Sequence, residues 1–272
     1  MRPTVFVTDS IVFVIPDGRK LRLWLDGSSK ITVGNGDFEH PVANAFSLLP
    51  KIDCPFATET CKSICYVIGL EKMAPEVFAV YSENSKNMRI ILSSWENMQC
   101  AAVAIAEYIK VNCPHGFRWH VAGDIISAKH ACFIRETAAL TPGILHWIYT
   151  RSFSYVEDLL RFGLPNLVVN LSADRDNWSE ALATAQKYNL RICYLSIEGE
   201  IPLGLPDGSV IMPNYNLRGR ELDQPTTAPW WQTLNTRLRC MVCPADFFGQ
   251  DEHMRCGRCK KCLVPCKKAG QP

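Results

Sequence analysis

Four segments of the chain share one pattern, an apolar strand followed at once by polar residues: FRWHVAGD (117–124), ILHWIYTRS (144–152), LVVNLSAD (167–174) and RICYLSIE (191–198). Helical periodicity fills the intervals between them. Strands that alternate with helices predict βαβ units and a parallel sheet. The apolar runs that end at Pro50 and begin at Val210 bring the count to about six units. Six are too few for a closed eight-stranded barrel, so we predict an α/β fold built as a partial (β/α)6 TIM-like barrel, with a doubly wound sheet as the alternative.

Toward the amino terminus, the apolar runs Ile11–Ile15 and Leu21–Leu25 flank Pro16–Asp17–Gly18. Pro fixes φ and Gly supplies a positive φ, so this stretch predicts a β-hairpin. Apolar residues at three- and four-residue spacing predict helices over 75–87 and 95–111. The chain is then divided into an N-terminal hairpin with its lead-in loop (1–40), the partial barrel with a cysteine loop (41–225) and a cysteine-rich C-terminal module (226–272).

The polar residues that follow the strands are expected to meet on one rim, because the carboxyl ends of parallel strands lie at the same edge of a sheet. They are Asp124, Arg151, Asp174 and Glu198. The catalytic candidates are Asp124, Arg151 and Asp174. The candidates for cofactor binding on the same rim are Gly123, Asp124, Asn170 and Ser172. Helix capping is the alternative role, since Ser and Asp are good N-cap residues.

The loop CPFATETCKSICYV (54–67) places Cys54, Cys61 and Cys65 close together in the chain. Clustered thiolates in a reducing cell bind metal, oxidise or react as nucleophiles. The loop therefore predicts a metal or iron–sulfur site at the mouth of the barrel, and Tyr66 beside it is a candidate for contact with the cofactor. Three buried structural thiols are the alternative interpretation.

Strand alternation turns Arg118 and His120 toward one face of the sheet. A basic pair that points into the barrel would suit an anionic substrate or cofactor, so His120 is a candidate for cofactor binding. A core histidine is the alternative, and His130 and His146 are interpreted as structural.

The tail CMVCPADFFGQDEHMRCGRCKKCLVPC (240–266) carries a second group of cysteines. Cys256, Cys259 and Cys262 follow one another at CxxC spacing, and Cys243 lies thirteen residues before Cys256. Four such thiolates suit zinc or a second iron–sulfur cluster. Cys240 and Cys266 are spare candidates for the same site.

Composition narrows the class of protein. The chain has 272 residues, a net charge of +2 and 13 cysteines. No apolar run reaches the about 18 residues that a spanning helix needs, and the start is a poor signal peptide. Many cysteines without a secretion signal predict a reducing compartment and metal rather than disulfides. We expect a cytoplasmic protein without a membrane partner, and its oligomeric state stays open.

From Ile31 to Cys262 the chain resembles the gene product 88 family of phage and plasmid proteins. The motifs that carry this resemblance are GNG, FSLLP, the cysteine loop, RWHVAGD, YTRS, NLSAD and CGRCKKC. It implies a phage or mobile-element origin, hence the host cytoplasm, and an iron–sulfur protein. The family supplies no reaction to carry over.

More distantly, the chain is similar to radical SAM enzymes, which carry three cysteines on the loop after the first strand of a six-unit barrel. That similarity implies that the three loop cysteines bind a 4Fe–4S cluster with one open iron, with S-adenosylmethionine as the partner of that iron. Ala122–Gly123–Asp124 would then hold the methionine amino group. The Cx6CxxxC spacing here departs from the CxxxCxxC of that superfamily.

Two classes of function follow. The first is an iron–sulfur enzyme that acts on a small molecule or a nucleic acid. The second is a non-enzymatic protein in which zinc or a closed cluster stabilises a surface for nucleic acid or a host protein. In a third arrangement all the cysteines converge on one cluster and the tail supplies the fourth ligand, which would indicate electron transfer or a structural role.

Overall fold

The computed structural model describes residues 8–27, 43–65, 67, 75–214, 224–247, 259 and 261–264. Numbered along the chain, the strands of these residues are β1 Thr8–Val14, β2 Lys20–Asp26, β3 Ala45–Phe46, β4 Phe117–Trp119, β5 His146–Thr150, β6 Leu167–Ala173, β7 Arg191–Ser196 and β8 Val210–Pro213. The helices are α1 Glu59–Ser63, α2 Pro75–Ile91, α3 Trp95–Asn112, α4 Ala128–Ala139, α5 Val156–Leu160, α6 Trp178–Tyr188, α7 Pro229–Thr233, α8 Thr236–Met241 and α9 Pro244–Phe247. Short 3-10 turns precede α5 and α7.

All eight strands of the described residues form one sheet, in the order in which they occur along the chain. The β1–β2 hairpin and the β2–β3 pair are antiparallel, and every pair from β3 to β8 is parallel. The α/β prediction is confirmed. The doubly wound alternative is wrong, because the strand order never reverses. Among the described residues β1 and β8 are the two edges, so the sheet is not closed into a barrel.

The two faces of the sheet differ in chemistry because side chains alternate along a strand. On one face, Trp119, Ile148 and Val169 belong to an apolar core shared with α2, α3 and α4. On the other face, the intervening residues of the same strands include Arg118 and Tyr149, and they line a cavity. The helices therefore cover one side of the sheet, and the other side is left for the site.

The hairpin prediction is confirmed, with Gly18 at a φ of +85° in its turn. The predicted strand 117–121 ends at Trp119 instead. His120 has a φ of +60°, which turns the chain out of the sheet. The strand before the cysteine loop is likewise only two residues long, because from Leu48 onward the chain bonds to the segment after β4.

The segment 229–247 docks on the apolar side of the sheet through its aromatic residues. Trp230 is buried in the core that contains Tyr194 of β7, and its Nε1 donates to the Gly199 carbonyl at 3.1 Å. Trp231 stacks on Phe247 with 4.7 Å between ring centroids. Of the helices in the described part of the chain, none combines the length and the apolar character needed to cross a bilayer.

Gly123 lies where the segment after β4 crosses the cysteine loop. Its φ is +80°, and a Cβ built there would lie 2.6 Å from the Leu48 Cβ. The Leu48 amide donates to the Ala122 carbonyl at 2.9 Å, so the two segments are held in contact. Only glycine meets both constraints, the left-handed φ and the close approach.

We expect Gly123→Ala to lower the free energy of unfolding by about 2–4 kcal/mol, from backbone strain and overpacking together. Urea unfolding followed by circular dichroism measures it. Gly163→Ala is the control for strain alone, since Gly163 has a φ of +59° and open space at the Cβ position. Gly143→Ala, with neither constraint, should change stability by less than about 0.5 kcal/mol. Equal losses at Gly123 and Gly163 would contradict the close contact with Leu48.

Candidate functional site

A cavity of 530 Å³ opens on the polar face of the sheet, at the carboxyl edge of the parallel strands. The loop after β3 lines one part of it with Cys54, Cys61 and Cys65. A second set of thiols lines another part: Cys193, Cys243 and Cys262. One cavity therefore gathers cysteines from both ends of the chain.

The cysteine loop begins at a fixed point, the buried carboxylate of Asp53. This carboxylate pairs with Arg89 at 2.7 Å and accepts a hydrogen bond from Ser85 of the same helix, α2. The Asp53 carbonyl also accepts the Asp124 amide at 2.7 Å. Cys54, the next residue, is thereby held between α2 and the segment that follows β4.

The middle of the loop is attached to the end of β6. Thr58 is the N-cap of α1, and its hydroxyl accepts the Cys61 amide at 3.0 Å and donates to Asp174 at 2.6 Å. The Thr60 amide donates to Asp176 at 2.9 Å. The bonds to Asp174 and Asp176 each join residues 116 positions apart in sequence, and they place Cys61 over the carboxyl end of β6.

Asp124 accepts three hydrogen bonds, from the Ile125 amide, the Arg151 amide and the Thr150 hydroxyl, at 2.6–2.8 Å. Burial raises the pKa of this carboxyl, and the three donors oppose that shift. The carboxylate thus joins the end of β4 to the end of β5 and lies at the cavity wall. The catalytic role of Asp124 stays a prediction. Its hydrogen bonds also give it a role in positioning the ends of the two strands.

Arg151 connects the rim residues with one another. Its guanidinium donates to the Ser172 hydroxyl at 2.6 Å and pairs with Asp174 at 3.0 Å. The Asp174 side chain is fully buried and that of Arg151 is 12% exposed, so the pair is largely shielded from solvent. The predicted rim residues Arg151, Ser172 and Asp174 are therefore in contact. Glu198 is exposed and lies apart from the cavity lining.

The three thiols of the loop are half-buried. Burial is the main cause that raises the pKa of Cys54 to about 12, followed by the negative charge of Asp124. Burial also raises the pKa of Cys61, and the Arg151 guanidinium opposes that shift. Thiols whose pKa is raised in this way stay protonated at neutral pH until a cation compensates the charge of the thiolate.

His120 is buried at the cavity wall, and both of its ring nitrogens lack a hydrogen-bond partner. Burial lowers its pKa well below the usual value, so the imidazole is neutral at pH 7. His146 differs, because its two nitrogens contact Trp119 at 3.2 Å and Thr141 at 2.7 Å, as expected of a structural histidine. A buried imidazole without partners is a ready donor or acceptor for a bound molecule.

The second set of thiols includes a residue that the sequence analysis missed, Cys193 of β7. It packs with Cys243 and Cys262 in one buried cluster, and its thiol donates a hydrogen bond to Cys262. Burial raises the pKa of Cys193, and the hydrogen bond from Cys193 lowers that of Cys262. The available signal was strand alternation, which turns Cys193 to the same face as Ser172, its neighbour on β6.

The tail is held against the polar face of the sheet by two buried side chains. The Asn170 amide donates to the Cys262 carbonyl at 3.0 Å, and Arg191 donates to the Val264 carbonyl at 2.9 Å. Arg191 also donates to the Asn170 Oδ1 at 3.1 Å. Asn170, predicted to contact a cofactor, therefore anchors the segment that carries Cys262.

Among the described residues, one predicted ligand is not brought to the cavity. Cys259 is exposed, and Tyr66 and Cys256 lie outside the described residues. Within the described ranges, no three His, Cys, Asp or Glu side chains are already arranged to hold a metal ion. Both sets of cysteines would have to draw together around a bound metal.

We expect His120 to give stability a dependence on pH. The unfolded histidine takes up a proton below about pH 6.5, and the folded one does not, so stability falls as pH falls through this range. His120→Asn, which tolerates the positive φ, should reduce the slope of unfolding free energy against pH by about 1.4 kcal/mol per unit between pH 6 and 4. Urea unfolding over this pH range measures the slope. Identical slopes in the two proteins would show that His120 is accessible to protons in the folded state.

No curated protein and no solved structure is similar enough to this chain to count as a match. The family model of gene product 88 does match, over residues 22–265. That range includes the cysteine loop, the parallel strands and the tail cysteines up to Cys262. The chain therefore belongs to the gene product 88 family.

Proposed function

We propose that this protein is an iron–sulfur enzyme, with a 4Fe–4S cluster bound by Cys54, Cys61 and Cys65 at the carboxyl edge of the parallel strands. The observation that carries the proposal is the position of these three thiols. They come from one short loop and line one cavity, beside the Arg151 guanidinium and the His120 imidazole, whose two ring nitrogens lack a hydrogen-bond partner. A phage or mobile-element origin and the host cytoplasm are part of the same proposal.

The residues present fit a cluster in their charge and in their chemistry. Thiolates are the usual ligands of iron–sulfur clusters, and three of them leave one iron open. Arg151 supplies positive charge beside Cys61, which favours a thiolate at that position. A cube of four irons separates its ligands further than a single ion does, so thiols spread around a cavity suit a cluster better than one ion. When bound, the cluster would supply electron transfer or a Lewis-acidic iron.

The strand order supports the partial-barrel part of the proposal. Six parallel strands that follow one another in sequence have the connectivity of βα barrels, in which active groups lie at the carboxyl edge. The cysteine loop follows the first of these strands, and Asp124 follows the second. This order is what the similarity to radical SAM enzymes would require. Asp124 already accepts three hydrogen bonds, however, so S-adenosylmethionine would depend on the lone pairs that remain.

The cavity favours a small polar or anionic substrate. Its volume of 530 Å³ falls within the about 300–1,000 Å³ typical of small-molecule sites. The neutral His120 can donate a hydrogen bond from one ring nitrogen and accept one at the other. Arg151 is held by Ser172 and Asp174 and can attract an anionic group. The two side chains would bind and orient a substrate against the thiols.

Cys61→Ala is expected to abolish the cluster and to leave the fold intact, because Cys61 lies on a surface loop. Wild-type protein purified anaerobically should be brown, absorb near about 400 nm and contain about four irons with matching sulfide. The variant should lose these at the loop site. Cys132→Ala is the matched control, since Cys132 is a buried thiol of α4 in the apolar core. Full iron and sulfide in the Cys61 variant would refute the assignment.

The outcome for the wild-type protein also separates the two classes of function. Zinc is colourless, so a colourless protein that contains only zinc would favour the non-enzymatic alternative. In that case the rim residues would be interpreted as supports for the fold.

A reduced, cluster-loaded sample tests the use of S-adenosylmethionine. If the open iron binds this molecule, its addition should change the electron paramagnetic resonance spectrum of the cluster. Methionine and adenosine added separately are the controls. An unchanged spectrum at saturating concentration would exclude S-adenosylmethionine as the ligand and leave the cluster assignment standing.

A further inference from the structure

We propose that Cys193, Cys243 and Cys262 form a separate three-thiolate metal site inside the cavity, in which the strand residue Cys193 takes the place of Cys256 and Cys259 of the CxxC run. The site would take a thiolate-preferring cation such as Zn²⁺, or an iron–sulfur cluster. Its ligands differ from those of the loop cluster, so either site can exist without the other.

The geometry of the three thiols rests on independent parts of the fold. Cys193 lies in the middle of β7, buried to 1% exposure. Cys243 is placed by its own amide, which donates to the Ile211 carbonyl of β8 at 2.7 Å. Cys262 is placed by Asn170 through its carbonyl. Three segments distant in sequence thus deliver one thiol each to one buried cluster.

Charge gives the second argument. Arg191 is buried, and its hydrogen bonds go to neutral groups, the Gly208 carbonyl, the Val264 carbonyl and the Asn170 amide oxygen. Among the described residues no carboxylate forms an ion pair with it. A buried cation without a counter-charge is costly. A thiolate–metal centre with net negative charge beside Arg191 would supply that counter-charge.

The hydrogen-bond donors around the thiols give the third argument. The Tyr149 hydroxyl donates to the Cys262 sulfur, and Tyr149 itself lies at the cavity wall. A hydrogen-bond donor to a metal-ligating sulfur orients that sulfur and changes the affinity or the reduction potential of the metal. Such donors are common around metal sites. The cluster therefore holds the thiols, a compensating cation and a sulfur-directed donor in one place.

The sulfurs are not yet gathered around a metal position. Cys193 and Cys262 already share a hydrogen bond, and a thiol moves by rotation about a single χ1 torsion. Metal binding would replace the shared proton by a cation and release protons to solvent. The remaining coordination position would be open to solvent in the cavity or to a bound molecule.

Co²⁺ is the probe, because thiolate-to-cobalt charge transfer absorbs in the near ultraviolet. We would strip metal anaerobically from full-length C61A protein, which removes a ligand of the loop site, and titrate it with Co²⁺. Charge-transfer absorption is expected in C61A and in C61A/C132S, whereas C61A/C193S should lose about a third of it or bind about tenfold more weakly. Circular dichroism confirms that each variant folds.

Full absorption and affinity in C61A/C193S would overturn the proposal and return the site to the CxxC run of the tail. Absence of charge transfer in folded C61A would overturn it as well. If C61A/C193S does not fold, the reciprocal variant C61A/C256S/C259S decides the question. It should keep the charge-transfer absorption and the affinity of C61A, and their loss would refute the site. None of these outcomes depends on whether the loop binds a cluster.

Discussion

The candidate site depends on the buried carboxylate of Asp174. It accepts hydrogen bonds from Thr58, which caps the helix that carries Cys61, and it pairs with Arg151 from the next strand along the sheet. A buried carboxylate is tolerated only when its charge and lone pairs are satisfied, so the loop, β5 and β6 must meet at this point. The position of the first cysteine group thus follows from the need to satisfy one buried charge.

Two other buried carboxylates also join neighbouring segments at this edge of the sheet. Asp124 ties the end of β4 to the end of β5, and Asp53 ties the start of the cysteine loop to α2. Asp124 is itself a catalytic candidate, and Asp53 directly precedes the candidate ligand Cys54. Both carboxylates also hold neighbouring segments of the fold together. His120 differs from these carboxylates, since both of its ring nitrogens lack a hydrogen-bond partner. Unsatisfied polar atoms of this kind indicate where a ligand would bind.

The tail brings thiols of the second group, Cys243 and Cys262, to the cavity. Asn170 and Arg191 hold residues 262–264 against the polar face of the sheet, and Trp230 fixes the preceding helices on the apolar side. One cavity therefore collects two groups of thiols that are far apart in the chain. In the third arrangement that the sequence suggested, all the cysteines converge on one cluster and the tail supplies the fourth ligand. Both groups of thiols do line one cavity, but the residues around each group differ. The positive charge of Arg151 favours the thiolate form of Cys61 in the loop, and that of Arg191 favours the thiolate forms of Cys193 and Cys262.

Periodicity and spacing in the sequence were sufficient to determine the class of fold, the hairpin and the edge of the sheet where polar residues collect. These features depend on local alternation, turn chemistry and the rule that parallel strands share a carboxyl edge. The early end of β4 was not predictable in this way, because alternation along the strand does not show that His120 takes a positive φ and turns the chain out of the sheet. The grouping of Cys193 with Cys243 and Cys262 was likewise decided by tertiary structure. A lone cysteine in a strand carries no motif, and only the packing of the tail under the sheet shows which thiols it meets.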